Sequence, residues 1–530
     1  MPLLTPFSTV RAPGAMICSA DQLATQAGMA ILAAGGNAVD AAIATNAAIA
    51  VTCPHLCGMG GDLFALVHGP DAGPPTVLNA SGRAGSGVSS EELRAEGRVD
   101  MPFRHDPRAV TVPGCVDGWT SLHDRYGSLD LATILAPAIR LAEDGFPASP
   151  LLVGSLAGLD ARARDSFSEL LGQARAPGAP TRRPGAGRTL RTIAATGRAG
   201  FYEGEFGEGL LALGNGVFSA DDLARTQADW VAPLGIDAWG HRVWTIPPGS
   251  QGYLTLAGAA IAAGLPLPED TDDPSWAHLL IEAAIEAGYD RPAVLHEGAS
   301  GAALLDPERL AARRARIDPE RTQRRPIRSY QDGDTTYLCV VDRNRMGVSL
   351  IQSNASGFGS WLVEPGTGIN LHNRGLGFSV EAGHPAEIAP GRRPPHTLSP
   401  ALVTRLDGSL AATIGTMGGD GQPQILLQLL ARLLASGQSP AAVIGAGRWV
   451  LRGPVTGFDT WTAPSGAVVQ VEGNAPATWV DALHARGHQA ERTPPFDSAF
   501  GHAHVITVEP SGLLAGAADP RARIGAAAGL

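Results

Sequence analysis

A change of pattern near residue 334 constrains the fold of this 530-residue chain more than any other feature. Before it, the sequence predicts mostly helices with glycine-marked ends, such as one from Gln22 to Gly35 with Asp21 as its N-cap. After it, short strands follow one another in hairpins, beginning with TTYLCVVD (335–342) and VSLIQS (348–353). Because strands and helices mix rather than alternate strictly, a doubly wound parallel sheet is disfavoured. The pattern indicates an α+β protein.

Further elements follow from local signals. Helices are predicted from Asn37 to Ala50, over 133–144 and from Pro423 to Gly437, and further hairpins lie within 401–414 and 504–517.

Two segments are expected to be irregular. Residues 173–189 are rich in Pro, Gly and Arg and predict an exposed loop. Residues 306–334 carry eight arginines and are either a solvated linker, a frayed helix or the boundary between two halves.

Composition excludes several classes of protein. All 40 basic residues are arginine, so Schiff-base catalysis through lysine, lysine-anchored pyridoxal phosphate and a lysine-containing phosphate loop are impossible. A net charge of −11 disfavours nucleic acid as a partner. The five cysteines are an odd number and predict no disulfide framework, which fits a reducing compartment. No signal-peptide pattern and no long apolar run is present, so no membrane partner and a cytoplasmic location are expected.

The motif Gly333-Asp334-Thr335-Thr336 is the first candidate for chemistry. It can be an ordinary polar turn that enters a strand. It can also be a self-cleavage site between Asp334 and Thr335, which would give Thr335 a free α-amine with a pKa of about 7.7–8.0. That amine could take the proton of the Thr335 hydroxyl, so one residue would supply both nucleophile and base. The residues alone leave both interpretations open.

The glycine-rich segment GTMGGDG (415–421) lies between a predicted strand and a predicted helix. It does not fit a phosphate loop, because it lacks GxGxxG and lysine and because Asp420 would repel phosphate. The backbone N–H groups of Gly418 and Gly419, near a helix N-terminus, could instead stabilise an oxyanion. A simple tight turn between strand and helix is the alternative.

Other candidates are weaker. His502 and His504 would share one face of a strand, but no third ligand is evident, so no metal site and no cofactor are expected. A Ser-His-Asp hydrolase remains the main conventional alternative, although the chain has no GxSxG motif.

From about residue 16 to its end, the chain resembles the γ-glutamyltransferase (glutathione hydrolase) family of N-terminal-nucleophile hydrolases. The motifs that carry the resemblance are ATQAGMAILAAGGNAVDAAIATNAAIAVTCP (24–54), GMGGDLF (58–64), VPGCVDGW (112–119), LAPAIRLAEDGFPAS (135–149), FYEGEFGE (201–208), GDTTYLCVVD (333–342), GTMGG (415–419) and GAADPRA (516–522). The resemblance implies one intertwined domain, a four-layer αββα sandwich built from two chains that arise by autoproteolysis.

The same resemblance implies the chain boundaries and the catalytic residues. The large chain would be 1–334, mostly helical and ending in the Arg-rich flexible tail 306–334, and the small chain would be 335–530. The two would form a heterodimer, and pairing of such heterodimers is left open. Carried over by position, Thr335 matches the catalytic threonine, Ser353 a hydroxyl that supports it, and Gly418 and Gly419 the oxyanion-hole pair.

The substrate pocket departs from the family pattern. The family's arginine for the glutamate α-carboxylate falls at Ser81, with Arg83 two residues on, and the aspartate for the α-ammonium falls at Gly377. Losing the carboxylate partner of a buried ammonium weakens binding by on the order of several kcal/mol, so this pocket is expected to bind a γ-glutamyl group poorly. Three further family positions differ: an Asn is replaced by Ala355, a Gln by Arg374, and a Ser-Ser pair by His396-Thr397.

We therefore expect substrate contacts from a changed set of residues, which is Arg83, Asn354, Arg374, His396 and Thr397. Of these, we expect Arg374, His396 and Arg83 to favour an anion. The segments RPPHTLSP and QSNASGFGS resemble a divergent branch of the family with cephalosporin-acylase-like and oxamate-amidohydrolase-like members.

The sequence thus predicts a self-processing N-terminal-threonine amidohydrolase or acyltransferase. Its substrate would be a small-molecule amide whose acyl group bears a carboxylate, cleaved through an acyl-enzyme on Thr335. One alternative is a true γ-glutamyltransferase or glutathione hydrolase in which Arg83 and Arg374 re-form the carboxylate site. Another is an unprocessed, non-catalytic scaffold or binding protein.

Overall fold

The chain is described by a computed structural model that covers residues 7–323, 334–452 and 468–530. Its strands are β1 (Val10–Ala12), β2 (Met16–Ser19), β3 (Asp62–His68), β4 (Thr76–Ala80), β5 (Phe146–Pro147), β6 (Pro180–Thr181), β7 (Asp229–Val231), β8 (Leu234–Ala238), β9 (His241–Thr245), β10 (Asp334–Val341), β11 (Gly347–Ala355), β12 (Val363–Glu364), β13 (Ile369–Asn370), β14 (Ala401–Arg405), β15 (Leu410–Thr416), β16 (Trp449–Arg452), β17 (Val468–Val471), β18 (Gln489–Arg492), β19 (Ala503–Val508), β20 (Leu514–Ala518) and β21 (Ala526–Gly529).

The α-helices are α1 (Gln22–Ala33), α2 (Ala38–Thr52), α3 (Ser90–Ala95), α4 (Cys115–Tyr126), α5 (Leu131–Asp144), α6 (Pro150–Ala157), α7 (Ala161–Ser166), α8 (Ser168–Gln173), α9 (Pro184–Thr196), α10 (Ala199–Tyr202), α11 (Glu205–Gly214), α12 (Ala220–Ala224), α13 (Gly252–Ala263), α14 (Pro274–Gly288), α15 (Arg291–Val294), α16 (Gly301–Leu304), α17 (Pro307–Arg314), α18 (Gln422–Leu430), α19 (Pro440–Gly445) and α20 (Trp479–Ala485). A π-helical turn, Ala431–Ala435, extends α18. Within the described ranges no helix has both the length and the apolar character needed to cross a membrane.

Two seven-stranded antiparallel sheets form the centre of the molecule. Sheet I has the strand order β21-β2-β10-β11-β3-β4-β7, and sheet II has the order β1-β20-β19-β15-β14-β9-β8. A buried apolar cluster with members from both sheets lies between them. Helices α1, α2 and α5 share a second cluster with sheet I, and α13, α14 and α18 share a third with sheet II. The result is a four-layer αββα sandwich, which confirms the expected fold.

Strand alternation sorts the side chains of β10 between these layers. Tyr337 and Cys339 belong to the cluster between the sheets, whereas Leu338 and Val340 belong to the cluster under α1 and α2. Both faces of the strand are therefore buried, as a central strand of a sandwich requires. All five cysteines are buried and free.

Most elements predicted from local signals are confirmed. The Asp21 side chain accepts a hydrogen bond from the Leu23 N–H at 2.7 Å and starts α1. Asn37 starts α2 in a capping box with Asp40. The three predicted hairpins are present as β10–β11, β14–β15 and β19–β20.

The two segments expected to be irregular are more ordered than predicted. The prediction of an exposed loop over 173–189 is wrong from Pro184 onward, because α9 begins there. Arg183, just before that helix, is buried and donates to the Ala50 carbonyl at 2.8 Å. The tail expected over 306–334 begins instead as α17, whose residues Arg309 and Arg313 each pair with one Asp290 oxygen at 2.7 Å. Residues 324–333, which include Gly333 and three of the counted arginines, lie outside the described residues.

Candidate active site

Thr335 lies at the start of β10, on the face of sheet I that is turned toward sheet II. The strand register places Thr335 opposite Ser353 of β11, and Ser353 opposite Asp62 of β3. Side chains at directly opposite positions share one face of a sheet. Thr335, Ser353 and Asp62 therefore form a continuous row across three strands, and all three are buried.

Hydrogen bonds tie the two hydroxyl groups of this row together. The Thr335 Oγ1 donates to the Ser353 Oγ at 2.9 Å, and the same Ser353 oxygen accepts the Ala355 N–H at 2.8 Å. The register of the β10–β11 pair shifts between Asp334 and Thr335, as in a β-bulge. Bulges re-aim side chains and occur often beside active sites. The bond that the sequence predicts to be cut thus lies at an irregularity, immediately before the hydroxyl pair.

The glycine-rich loop after β15 begins beside the same strand. A Cβ atom on Gly415 would lie 2.2 Å from the Cε2 atom of Tyr337, so only glycine lets β15 approach β10 here. Gly418 and Gly419 have φ values of +133° and +52°, a backbone region that favours glycine. A short 3-10 turn (Gly419–Gly421) then leads into α18. The predicted oxyanion pair therefore lies just before a helix, three and four residues after the point where β15 contacts β10.

Asp62 is the centre of a buried polar cluster. Its Oδ1 accepts the Gly82 N–H at 2.9 Å, and its Oδ2 lies 3.1 Å from His396 Nε2 and 3.6 Å from His372 Nδ1. Burial raises the pKa of Asp62, but the two histidines and the Gly82 amide outweigh it and lower the pKa to about 2. Burial and the nearby Arg374 charge lower the pKa of His396 to about 3. Near pH 7 the pair is an aspartate and a neutral imidazole.

Arg374 and Thr397 connect this cluster to the glycine loop. The Arg374 Nη2 donates to the Thr397 Oγ1 at 3.0 Å. The Gln251 Nε2 donates to both the Thr397 carbonyl and the Gly419 carbonyl, each at 2.9 Å. The structure therefore brings Arg374, His396 and Thr397 close to the glycine-rich loop that holds Gly418 and Gly419.

The charges around Arg374 balance one another. Burial lowers the pKa of Arg374 to about 10, so it stays protonated near pH 7, and Asp62 and Asp420 act on it as opposite charges. Asp420 is itself 3.1 Å from the Arg291 guanidinium. Two guanidiniums thus face two carboxylates, so any binding of an anion here depends on directed hydrogen bonds rather than on excess positive charge.

Arg83 lies in a different environment. Its Nη2 is 2.8 Å from Asp229 and its Nη1 is 3.3 Å from Glu297. Arg393 shares the same Asp229 oxygen at 2.5 Å. The structure therefore pairs Arg83 with two carboxylates and does not bring it to the Thr335 row.

A cavity of about 130 Å³ lies between these two groups of charges. It is lined by Phe64, Ser81, Ser250, Glu297, Arg393 and His396, among others. The buried Ser81 hydroxyl has no hydrogen-bond partner in the described part of the chain. His396 borders the cavity and also contacts Asp62, which is the link between the cavity and the Thr335 row.

Two other sets of candidates are separated from this site. Asn354 follows Ser353 in β11 and lies on the opposite face, where its Nδ2 donates to the Pro54 carbonyl at 3.1 Å. His502 and His504 have separate partners: the His502 Nε2 lies 2.8 Å from the Ser498 hydroxyl, and the His504 Nδ1 accepts the Asp519 N–H at 3.3 Å.

Sequence reasoning missed Asp62, Gln251 and Arg393 as members of the site. Asp62 was visible in GMGGDLF, which served only to mark the resemblance, yet a carboxylate that opens an apolar strand such as DLFALVH must have a buried partner. Gln251 and Arg393 carried no comparable signal, because their partners are distant in sequence.

Comparison with known proteins agrees with the fold. The family model for gamma-glutamyltranspeptidase matches residues 24–529. The oxamate amidohydrolase proenzyme of Klebsiella pneumoniae is 36% identical, over 97% of this chain and 98% of the relative, and the glutathione hydrolase-like YwrD proenzyme of Bacillus subtilis is 35% identical over the same shares. The crystal structure of a cephalosporin acylase from Bacillus halodurans has a TM-score of 0.89 at 35% identity and covers 100% of this chain and 98% of its own.

The four-layer sandwich is that of the N-terminal-nucleophile hydrolases, the fold also of the cephalosporin acylase and of a γ-glutamyltranspeptidase of known structure. The chain belongs to the γ-glutamyltranspeptidase family. It is therefore an enzyme of a family whose named members are amide hydrolases, acylases and glutathione hydrolases.

Proposed function

We propose that the chain cuts itself between Asp334 and Thr335 and that Thr335 then hydrolyses the amide of a short acyl group that carries a carboxylate. The observation that carries this proposal is the hydrogen bond between Thr335 Oγ1 and Ser353 Oγ, at the end of a buried row that continues to Asp62 and His396. The cut would divide the chain into 1–334 and 335–530, which form a heterodimer.

The reaction needs only the residues already described. The α-amine of Thr335 accepts the hydroxyl proton as Oγ1 bonds to the amide carbon, and the Gly418 and Gly419 N–H groups stabilise the oxyanion. When the C–N bond breaks, the leaving nitrogen takes that proton and departs as ammonia or an amine. Water then attacks the ester with the amine again as base, which releases the carboxylic acid and restores Thr335.

The size of the adjoining cavity supports a small acyl group. Ser81 stands at the position that the resemblance assigns to the family's carboxylate-binding arginine, and it is one of the residues that line the cavity of about 130 Å³. A relative that is 36% identical over nearly its full length is named an oxamate amidohydrolase. Oxamate is an amide with an adjacent carboxylate, and its hydrolysis would give oxalate and ammonium. It is the first substrate to test.

Arg374 is the better candidate for the substrate carboxylate. It is buried, and through Thr397 and Gln251 it is connected to the oxyanion loop. Arg83 is instead held by Asp229 and Glu297. Arg374→Lys should therefore raise KM for oxamate more than Arg83→Lys does, because only Arg374 is proposed to contact the substrate, and a lysine cannot reproduce the planar fork of a guanidinium.

Self-processing is tested by intact-mass spectrometry of the wild-type protein beside Thr335→Ala and Thr336→Ser. The wild type and Thr336→Ser should each give two masses, those of the fragments produced by a cut before Thr335. Thr335→Ala should give the single mass of the uncut chain. A wild-type chain that stays whole after long incubation and has no amidase activity would instead support the non-catalytic scaffold.

Substrate class is tested with processed protein and a matched panel. Oxamate and longer dicarboxylic monoamides are compared with glutathione and a γ-glutamyl anilide by kcat/KM. The monoamides should be preferred. Preference for the γ-glutamyl compounds would mean that the altered pocket still binds glutamate and that the alternative of a glutathione hydrolase is right.

A further inference from the structure

Three metal-ligand side chains converge in the helical layer over sheet II, away from the Thr335 site. His278 and Glu282 lie one turn apart on α14, and His488 lies between α20 and β18. The His278 Nδ1 is 2.8 Å from the His488 Nε2, and the Glu282 Oε1 is 3.7 Å from that same Nε2. One ligand atom from each residue lies within 4.8 Å of the others, and all three residues are buried.

The protonation states suit a metal. The His278 Nε2 lies 2.9 Å from the Asp318 carbonyl oxygen, which can only accept, so Nε2 carries the hydrogen and the Nδ1 lone pair faces His488. Metal-bound histidines commonly donate their other N–H to a carbonyl in this way. The His278 Nδ1 is then the acceptor of the hydrogen bond from the His488 Nε2, so His278 is a neutral imidazole whose lone pair points into the cluster. Neutral imidazole is the form that binds metals.

The distances need little adjustment. Metal–ligand bonds of about 2.0–2.2 Å in a tetrahedron put neighbouring ligand atoms about 3.3 Å apart. The two separations at His488 Nε2, 2.8 and 3.7 Å, lie on either side of that value. On binding, His488 would move its hydrogen from Nε2 to Nδ1 with no net loss of a proton.

The surrounding charges favour a cation. Asp318 and Glu320 act on His278 as negative charges, and Arg486 acts on both histidines as a positive one. Arg486 is directed to other partners, because its Nη2 donates to the Ser275 hydroxyl at 3.0 Å and its Nη1 to the Ala482 carbonyl at 3.3 Å. Among the described charges named here, the carboxylates of Asp318, Glu320 and Glu282 outnumber the one guanidinium of Arg486.

We propose that His278, Glu282 and His488 bind a divalent cation of the zinc class, with water or the second Glu282 oxygen as fourth ligand. Two nitrogens and one carboxylate are a donor set that zinc accepts. The ion would join α14 to the segment that precedes β18 and would act on stability rather than on the Thr335 chemistry. If the chain is cut as proposed, the ion would also link the two processed chains. The metal site itself does not depend on that cleavage.

The test uses the full-length protein, stripped with a chelator and then titrated with Zn²⁺ alone. The wild type and Thr335→Ala should each take up a single Zn²⁺ and melt at a higher temperature with it. His488→Ala should weaken binding by at least about tenfold and abolish the thermal shift. His488→Cys should retain the ion, because thiolate is also a zinc ligand. The control is His484→Gln, four residues away, whose His484 Nε2 lies 2.7 Å from the Ala490 carbonyl and which should bind as the wild type does.

Cobalt gives an independent readout. Co²⁺ in place of Zn²⁺ should show the visible absorption of a four-coordinate site in the wild type and lose it in Glu282→Gln. If His488→Ala fails to fold, His488→Cys and Glu282→Gln still decide the question. Wild-type protein that takes up no Zn²⁺, or variants that bind Zn²⁺ and Co²⁺ as the wild type does, would overturn the proposal and leave a hydrogen-bonded His–His–Glu cluster.

Discussion

Ser353 is the side chain on which Thr335 depends most directly, because its oxygen is the acceptor for the Thr335 hydroxyl. Ser353→Ala removes that acceptor and also the partner of the Ala355 N–H. A lost hydrogen bond of about 1–1.5 kcal/mol corresponds to roughly a tenfold slower reaction. We expect both self-processing and the kcat of the processed fraction to fall by about that factor, measured by intact mass over time and by ammonia release from oxamate.

The matched control for this prediction is Ser349→Ala. Ser349 lies four residues earlier in β11 on the same face and bonds the Tyr337 hydroxyl at 2.9 Å. Its loss should lower stability by about 1 kcal/mol and leave processing unchanged. Ser353→Thr should restore much of the rate. Equal processing by Ser353→Ala and Ser349→Ala would mean that Ser353 does not position Thr335.

At the scale of elements, the approach of β15 to β10 depends on Gly415. Gly415→Ala would place a methyl group 2.2 Å from the Tyr337 ring, two residues from Thr335. Overpacking of this kind costs about 1–3 kcal/mol, and here the strain would reach the strand of Thr335, the proposed nucleophile. We expect lower stability in urea unfolding and slower self-processing.

Gly154→Ala is the control for Gly415→Ala. Gly154 lies inside α6, and a Cβ atom there would meet no atom within 4 Å. Because alanine favours helix over glycine, this variant should be more stable by up to about 1 kcal/mol and should process normally. A Gly415→Ala protein as stable and as active as the wild type would show that the two sheets can move apart at this point.

Elements with local signals were predictable from the sequence. Asp21 and Asn37 mark the starts of α1 and α2, and the hairpin β10–β11 follows from two apolar runs around a short turn. The start of α9 was missed because Pro184 follows a Pro-, Gly- and Arg-rich run, although proline is favoured in the first turn of a helix.

The site was predictable only in part, and the reason is distance along the chain. Thr335 and Ser353 are neighbours in one hairpin, so their row could be inferred. Asp62 joins that row through β3, and His396 reaches Asp62 across 334 residues. Asp62 and Asp420 balance the charge of Arg374. No local sequence pattern predicts this arrangement, because the three residues come together only in the tertiary structure.

At the scale of the molecule, both sheets interleave the two proposed chains. In sheet I, strands β10, β11 and β21 come from 335–530 and the other four from 1–334; in sheet II, β14, β15, β19 and β20 come from 335–530. We therefore expect the 334-residue and 196-residue products to co-elute in native gel filtration and to separate only in denaturant. Separation without denaturant would contradict the interleaved arrangement, and uncut Thr335→Ala gives the reference elution volume.

Acid should destabilise the whole molecule through its buried histidines. Burial is the main cause that lowers the pKa of five imidazoles, to about 3 for His55, His396, His488 and His504 and to about 4 for His502. In the unfolded chain each has a pKa of about 6.5. Below that pH the unfolded chain takes up protons that the folded chain does not. The stabilisation is therefore complete above pH 6.5 and is lost progressively as the pH falls toward 4.

Each proton that the unfolded chain binds and the folded chain does not changes the free energy of unfolding by about 1.4 kcal/mol per pH unit. Five such protons could change it by up to about 7 kcal/mol per pH unit below pH 6. We expect unfolding at pH 5.5 to take up about four more protons than at pH 7.5, measured by calorimetry in buffers of different ionisation enthalpy with chelator present. Most carboxyl groups titrate at lower pH. Burial raises the pKa of Asp21 and Asp117, so any proton that these two hold in the folded chain is released on unfolding and subtracts from the uptake. His504→Gln should reduce the uptake by about one proton. A melting temperature that is flat from pH 7.5 to 5.5 would mean that these imidazoles reach solvent in the folded protein.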